Sequence, residues 1–205
     1  MLDRPMQTGT VSLEGKLVRL EPLTMDHLAS LTEAAQDSRL WKWWTDPMQS
    51  EDDMRRYIQS GLDGVAAGTV MAWTTRSQKD GRIVGATRFS DINLRNRTLE
   101  IGWTWLHPDY QRKGINVEAK YLQLTHAFES MGARRVALKT HHHNLQSQTA
   151  IQALGAKPEG VFRNHVIMHD GSTRHTHWFS IIAEEWPEVK EGLERRMQRH
   201  SSQVI

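Results

Sequence analysis

The sequence predicts an α/β (α+β) fold, in which a central mixed, mostly antiparallel sheet of about seven strands is flanked by four helices. Apolar residues recur at helical spacing in some segments, and other segments alternate apolar with polar side chains as strands do. Turn residues separate the predicted strands. The predicted order is one strand, two helices, three strands, a helix, a strand, a helix and two strands.

The first half of the chain contains a strand, two helices and a three-stranded meander. Pro22 ends the first strand, and Thr24 and Ser50 are residue types that cap helix N-termini. Turns rich in glycine and asparagine then separate three strands, which predicts antiparallel pairing. The predicted elements are a strand at 16–21, helices at 24–36 and 50–64, and strands at 70–75, 83–90 and 98–106.

The second half alternates helices with strands and ends in a hairpin. Pro108 ends the last strand of the meander, Gly132 suits the C-cap of the long helix that follows, and Asn144 opens the next helix. Asp170 and Gly171 are predicted to form the hairpin turn. The predicted elements are a helix at 117–131, a strand at 135–140, a helix at 144–155, and strands at 161–168 and 175–182.

The length of 205 residues favours a single domain, which we assign to residues 15–186. Residues 1–14 are interpreted as an N-terminal extension. Residues 187–205 mix acidic and basic side chains with few apolar ones, so a charged C-terminal helix or tail is expected. We expect it to be solvated, the alternative being that it packs on a partner subunit.

Composition argues against several classes of protein. The absence of cysteine rules out disulfides, thiolate metal sites and cysteine nucleophiles, and it agrees with a cytoplasmic location. The formal net charge of +2, with basic residues scattered among acids, argues against nucleic-acid binding. No apolar segment has the length of a membrane span. Trp41, Trp43 and Trp44 are expected to line the core, a homodimer contact or a ligand.

A basic loop connects the strand at 98–106 to the next helix, and it predicts an anion site. A helix N-terminus attracts anions through its unpaired N–H groups and its dipole. Arg112 and Lys113 add positive charge, and Gly114 lets the backbone approach phosphate oxygens closely. The alternative is an ordinary connection with solvated basic side chains. The Walker Lys-Ser/Thr pair and the three glycines of the Rossmann fingerprint are both missing.

Residues 111–116, Gln-Arg-Lys-Gly-Ile-Asn, resemble the Gln/Arg-x-x-Gly-x-Gly/Ala motif of the GNAT N-acetyltransferases. The resemblance extends over about residues 15–185. It points to the RimJ/RimL-like branch, which acetylates the N-termini of ribosomal proteins. Asn116 departs from the motif, so we expect altered local contacts there and not loss of the site. The other matching segments are Glu-Ile-Gly-Trp-Thr-Trp-Leu at 100–106, Asn-Leu-Gln-Ser at 144–147, Leu-Gly-Ala at 154–156 and Glu-Gly-Val-Phe-Arg at 159–163.

The resemblance implies a splayed sheet that takes acetyl-CoA as cosubstrate and uses no metal. The main chain of Thr104, Trp105 and Leu106 would then pair with the pantetheine arm. An amine acceptor, either a protein N-terminus or a small amine, would attack directly in a ternary complex, and a main-chain N–H near Trp105 would stabilise the oxyanion. The residues expected to cradle the pyrophosphate are Arg112, Lys113, Gly114, Ile115, Asn116 and Val117.

Three side chains are candidates for catalysis. Glu100 on the central strand could accept the amine proton directly or through water, the alternative being a structural carboxylate. By the resemblance, Asn144 holds coenzyme or an ordered water, or it caps its helix. Ser147 could hydrogen-bond the leaving sulfur, or simply occupy the first helical turn. Many relatives carry a tyrosine where this chain has Ile151, so a tyrosine acid is not expected.

The histidines lack acids or thiolates at metal-ligand spacing, so they are interpreted as strand-edge residues, one or two of which could line the acceptor cleft. Two other functions stay open at this stage. One is a non-catalytic acyl-CoA-binding sensor or interaction module, and the other, weaker one is a nucleotide-dependent enzyme. The histidines concerned are His141, His142, His143, His165, His169, His175 and His177.

Overall fold

An eight-stranded sheet forms the centre of the protein, whose residues 5–202 are described in a computed structural model. The strands lie side by side in the order β1-β2-β3-β4-β5-β6-β8-β7. All neighbours are antiparallel except β5 and β6, which run parallel. The strands are β1 (Leu13–Glu14), β2 (Val18–Pro22), β3 (Met71–Ser77), β4 (Ile83–Asn93), β5 (Thr98–Leu106), β6 (Arg135–His141), β7 (Lys157–Ile167) and β8 (Thr173–Ile182).

Five α-helices cover the two faces of the sheet in the described part of the chain. The Ser50 hydroxyl accepts from the N–H of Asp53, and the Asp53 carboxylate accepts from the N–H of Ser50, which closes a capping box at the start of the second helix. The third helix continues into a π-helical turn over His126–Ser130. The helices are α1 (Leu28–Ala34), α2 (Glu51–Ala66), α3 (Ile115–Thr125), α4 (Leu145–Gln152) and α5 (Trp186–Ser202).

Two hydrophobic cores lie on opposite faces of the sheet, because its central strands bury side chains on both sides. On one face, Phe89 of β4 and Leu124 of α3 belong to the core that α3, α4 and α5 cover. On the other face, Trp105 of β5 and Ile58 of α2 belong to the core that α1 and α2 cover. Strand β5 therefore contributes to both cores, with Ile101 in the first and Trp105 in the second.

The predicted order of elements is confirmed, and β5 has the predicted bounds. The structure adds one strand, and its fifth helix, α5, is the C-terminal helix expected beyond the four of the domain. The added strand, β1, pairs with β2 over two residues and is too short to show an alternating pattern. Predicted bounds elsewhere are off by a few residues, most clearly at β7, which begins at Lys157 and not at residue 161.

The C-terminal segment is a helix, as expected, but the expectation that this helix is solvated is wrong, because one of its faces packs on the domain. Val189 and Leu193 of α5 are buried, and the Trp186 ring stacks on Phe128 with the centroids 5.3 Å apart. The Tyr121 hydroxyl of α3 donates to Glu194 at 2.8 Å. The few apolar residues of this segment lie on one helical face, and that face alone is sufficient to bury it.

The N-terminal extension also contacts the domain where it is described. Met6 is buried, and the Trp73 indole of β3 donates to the carbonyl of Val11 at 2.7 Å. Residues 1–4 and 203–205, which complete the two predicted end segments, lie outside the described residues. None of the helices described between residues 5 and 202 is long and apolar enough to cross a membrane.

Candidate active site

The two parallel strands at the centre of the sheet separate soon after they begin to pair. Strand β5 has nine residues and β6 has seven, yet they pair only where Thr98–Glu100 faces Arg135–Ala137. Beyond Glu100 they diverge, and we call this gap the splay. Because β5 and β6 are parallel, the loops that follow them, and the N-termini of α3 and α4, lie at the same open edge of the sheet.

The β5 border of the splay contains a β-bulge. Trp105 lies opposite Ala86 of β4, whereas Gly102 lies opposite Arg88, so two residues of β5 oppose one residue of β4. Trp103, inside the bulge, has a φ of +53°. A left-handed backbone at a residue with a bulky side chain costs about 1 kcal/mol and persists only where its surroundings hold it.

Glycine at position 85 of β4 permits close contact with β5. A Cβ atom at Gly85 would lie 2.1 Å from the carbonyl oxygen of Trp105, which is far inside van der Waals contact. The carbonyl of Trp105 therefore faces β4 and not the splay. The next carbonyl, that of Leu106, accepts from the Gln111 amide at 2.9 Å. These contacts fix the path of the main chain beside the splay.

The basic loop after β5 delivers a sharply turned backbone to the start of α3. Gly114 is the N-cap of α3 with a φ of +81°, and Arg112 has a φ of +60°. No side chain caps this N-terminus. The side chains of Arg112 and Lys113 are exposed, while Ile115 is buried and anchors the first turn. An uncapped helix N-terminus with two adjacent cations is the arrangement that binds an anion.

The N-terminus of α4, on the other side of the splay, is capped by the side chain of its N-cap residue. Asn144 accepts a hydrogen bond from the N–H of Ser147 at 3.0 Å, so its capping role is confirmed. Ser147 is half-buried in the first turn of the helix. Ile151 is buried in the core and offers no proton.

A buried carboxylate lies at the closed end of the splay. Glu100 is the last residue of β5 that pairs with β6, and it is 2% exposed. The Lys139 ammonium of β6 is 2.8 Å from its Oε2 atom. Burial raises the pKa of Glu100, and the charge of Lys139 opposes this shift without reversing it. The sequence alone did not single out Lys139, because its closeness to Glu100 depends on which strands are neighbours.

Comparison with known proteins identifies the family to which this chain belongs. The sequence model of the GNAT acetyltransferase domain matches residues 18–157, which is more than half of the chain. The chain belongs to the GNAT acetyltransferase family. The protein is therefore an acetyltransferase, and its eight-stranded sheet with the helices around it is a GNAT fold.

Named relatives extend over most of the chain. The "Putative ribosomal N-acetyltransferase YdaF" of Bacillus subtilis (strain 168) is 28% identical over 176 residues, covering 82% of this chain and 90% of the relative. The ribosomal-protein-serine acetyltransferase of Escherichia coli (strain K12) is 25% identical, covering 80% and 91%. The crystal structure of a GCN5-related N-acetyltransferase from Brucella melitensis has a TM-score of 0.86 at 25% identity, covering 94% and 88%.

Aromatic side chains of this GNAT enzyme surround the α2 face of the splay. The rings of Trp44, Tyr57 and Trp103 lie with their centroids 6.0–6.5 Å apart. Trp43 contacts His141, the last residue of β6, at 4.8 Å. The core interpretation holds for Trp41, which is 2% exposed. Trp43 and Trp44 are half-buried and border the cleft.

Four of the histidines form a cluster at the end of β6, whereas His165 lies, as expected, on β7 at the edge of the sheet. His142 lies 3.9–4.6 Å, centroid to centroid, from the rings of His141, His143 and His175. Burial, followed by the charges of neighbours such as His142 and Arg174, lowers the pKa of His141 to about 4. Among the side chains described between residues 5 and 199, no set of three His, Asp or Glu has the arrangement of a metal site.

Proposed function

We propose that this GNAT enzyme transfers an acetyl group from acetyl-CoA to a primary amine, a protein N-terminus or a small amine, by direct attack in a ternary complex. The observation that carries the proposal is the splay. It places an uncapped helix N-terminus at its open edge and a buried carboxylate, Glu100, at its closed end. A thioester that enters from one side can therefore meet an amine and a base.

The donor side of the splay suits a coenzyme with a diphosphate. The first turn of α3, residues 115–117, offers N–H groups that no side chain caps, and Gly114 supplies a turn that a Cβ would strain. The exposed cations Arg112 and Lys113 add attraction for phosphate oxygens. The pantetheine arm would lie along Thr104, Trp105 and Leu106, because β5 has no strand partner on that side after Glu100.

Glu100 is the group that removes the amine proton in this proposal. A carboxylate whose pKa is raised by burial is a stronger base than one in water, so it accepts a proton from an amine more readily. The amine nitrogen then attacks the thioester carbonyl, a C–N bond forms, and the C–S bond breaks. Lys139 holds the carboxylate at the closed end of the splay.

The departing thiolate must gain a proton, and α4 presents one candidate donor. Ile151 carries no acidic hydrogen, which leaves the Ser147 hydroxyl as the group that would hydrogen-bond the sulfur. A main-chain N–H near Trp105 would stabilise the oxyanion. Asn144 already uses its side-chain oxygen as a helix cap, so any contact with coenzyme would involve its amide nitrogen.

The acceptor would approach between the loop of Trp41–Trp44 and the β7–β8 hairpin. These two segments meet where His169 lies 3.1 Å from the carbonyl of Trp44, which forms the outer rim of the cleft. Two relatives carry names that refer to ribosomal proteins as substrates. A protein N-terminus is therefore the first acceptor class to test, and small amines are the second.

An acceptor screen tests this function. The purified protein and acetyl-CoA would be incubated with ribosomal proteins, peptides of varied N-terminal residue and free amines. Thiol release would be followed over time, and product masses would be measured by mass spectrometry. We expect an added mass of one acetyl group on an α-amino group in at least one class, with stoichiometric thiol release. Saturable binding of acetyl-CoA with no acetylated product in any class would favour a non-catalytic acyl-CoA sensor instead.

A further inference from the structure

Lys120 of α3 buries an ammonium group that the chemistry above does not use. Its side chain is almost fully buried, at 5% exposure, on the side of α3 that faces the sheet. Across residues 5–202, no carboxylate lies within ion-pair distance of its Nζ atom. Lysine is rarely buried without a charged partner, because transfer of its charge out of water is costly. Because burying this charge is costly, the contacts that Lys120 makes in the interior are a candidate for a functional role.

Three neutral oxygens satisfy the three N–H donors of this ammonium. The Nζ atom lies 2.8 Å from Thr104 Oγ1 of β5, 2.9 Å from Gln123 Oε1 of α3 and 3.2 Å from Thr87 Oγ1 of β4. Burial, which is the single cause, lowers the pKa of Lys120 to about 7. Each N–H of the ammonium has an acceptor, whereas the buried Nε2 atom of Gln123 has no hydrogen-bond partner among the described residues.

The two threonines are the residues that define the bulge of β5. Thr104 is one of the two extra-register residues of β5, and Thr87 is the residue of β4 that faces them. Their hydroxyl oxygens are 2.7 Å apart, and the Thr104 hydroxyl also donates to the carbonyl of Gly102 at 3.3 Å. Lys120 therefore bonds to both sides of the irregular pairing at once.

The opposite face of the bulge is held by different groups. The Tyr57 hydroxyl of α2 donates to the carbonyl of Trp103 at 3.3 Å, and the Arg88 guanidinium lies 5.0 Å from the Trp103 ring centroid. The left-handed Trp103 is thus fixed from the α2 side, and Thr104 is fixed from the α3 side. The Lys120 network is the connection between the bulge and the helix that starts at Gly114.

We propose that Lys120 is a positioning residue for acetyl transfer: it fixes the bulge of β5 at Thr104 relative to α3, so that the main chain beside the splay and the anion-binding helix keep one geometry. The inference rests on the proposed function. The inference goes beyond that function because it assigns a role to a buried side chain that is not proposed to touch acetyl-CoA or the amine. Loss of the network would let the bulge relax and misplace the thioester carbonyl relative to Glu100.

The test compares Lys120→Met with a matched control on the same helix, Glu118→Gln. Methionine keeps the volume and removes all three hydrogen bonds. The buried Glu118 carboxylate accepts from the N–H groups of Lys16, Leu17 and Val18 and is not among the hydrogen-bond partners of Lys120. Melting temperature, the Kd for acetyl-CoA, kcat and KM would be measured for both variants on the acceptor found in the screen.

For Lys120→Met we expect kcat to fall about tenfold, with the Kd and KM for acetyl-CoA within about threefold of the unmodified protein. The melting temperature should stay level or rise, since a buried charge has been removed. For Glu118→Gln we expect the reverse, a lower melting temperature with kcat unchanged. A kcat of Lys120→Met within about twofold of the unmodified protein would overturn the proposal. The proposal would also fail if the fall in activity were fully explained by a smaller folded fraction of the variant.

A second variant, Thr104→Val, keeps the proposal testable if Lys120→Met does not fold. It removes the hydroxyl and retains the branched side chain, so kcat should again fall with binding retained. In the double variant, the two losses should not add, because both break the same network. Additive losses, or a Thr104→Val enzyme with full activity, would refute the role. Absence of turnover in the unmodified protein would instead contradict the proposed function.

Discussion

The two helices that start at the open edge of the splay, α3 and α4, satisfy their first turns in different ways. The N-terminus of α4 is capped by Asn144, whose side chain accepts from Ser147. The N-terminus of α3 starts at a left-handed Gly114 with no side-chain cap. Both helices follow parallel strands of the same sheet, so the difference in capping does not come from their place in the fold. The uncapped N–H groups make α3 the proposed anion site, whereas the first turn of α4 already has a side-chain cap.

The two strands that lead to these helices differ in the same sense. Strand β5 carries a bulge, with the left-handed Trp103, and the buried Glu100, while β6 pairs regularly with β8 along its whole length. Irregular backbone is concentrated on the β5 and α3 side, where coenzyme is proposed to bind. Strain stored at one border of a cleft while the other stays regular is typical of a functional site.

The largest effect is expected from Gly114→Glu at the start of α3. The side chain would strain a backbone with a φ of +81° and place a negative charge where a diphosphate is expected. Affinity for acetyl-CoA, measured by calorimetry, should fall more than about 100-fold. The control is Gly68→Glu, since Gly68 also has a left-handed φ but follows α2. Equal loss in both variants would mean that backbone strain alone is responsible.

The next largest effect is expected from Glu100→Gln at the closed end of the splay. Loss of the base should lower kcat by about 100-fold while acetyl-CoA binding stays unchanged. Steady-state kinetics and calorimetry on the same preparation measure both. The control is Glu159→Gln, whose carboxylate pairs with Arg135 outside the splay. Unchanged turnover in Glu100→Gln would leave this carboxylate with a structural role only.

Ser147→Ala tests the α4 side of the comparison. If the hydroxyl donates to the leaving sulfur, kcat should fall by about tenfold with no change in acetyl-CoA affinity. The cap should survive, because Asn144 accepts from the main-chain N–H of residue 147 and not from its hydroxyl. A variant with normal kcat would show that α4 takes no part in proton transfer.

Lys139→Met should change the pH dependence more than the maximal rate. Burial raises the pKa of Glu100 and Lys139 opposes that rise, so removing the cation raises this pKa further. The base must be ionised, and the acid limb of kcat/KM should therefore move to higher pH, by about one unit. Lys157→Met, which breaks the ion pair with Glu185 at the start of β7, should leave the limb in place. If the acid limb of Lys139→Met did not move, that limb would not report the ionisation of Glu100.

The smallest effect is expected from Asn144→Ala. Loss of the α4 cap should lower the free energy of unfolding by about 1 kcal/mol, measured with denaturant, while Asn144→Asp should retain most of it. Acetyl-CoA affinity should change less than about twofold, because α4 is capped by the protein and not by coenzyme. If Asn144→Ala instead lost affinity to the extent expected of Gly114→Glu, the contrast between the two helices would be false.

Local sequence patterns predicted most of the secondary structure and part of the site. The bounds of β5 and the turn at Gly114 were predicted correctly, because alternation and glycine act within a few residues. The capping role of Asn144 was also visible from its residue type. The roles of Ser147, and of residues 104–106 and 112–117, in binding or catalysis stay predictions, and the variants above test several of them.

Contacts between distant segments were not predictable from those patterns. Lys139 and Glu100 are near neighbours only because β6 lies beside β5. The apolar pattern of α3 predicted a buried helix, but it did not show that Lys120 would be buried with it. The buried face of α5 was missed for the same reason, since Val189 and Leu193 are few among many charges. A pattern shows which residues share a face, and it does not show what that face will meet.

The sequence by itself thus determined the order of strands and helices and the loop that opens α3, because propensity, alternation and capping depend on neighbouring residues. Only the tertiary structure decided that β5 and β6 pair over three residues and then part, and that Glu100 and Lys120 lose their water. Strand separation, burial and the resulting pKa values arise from long-range packing, whose partners lie many residues apart along the chain.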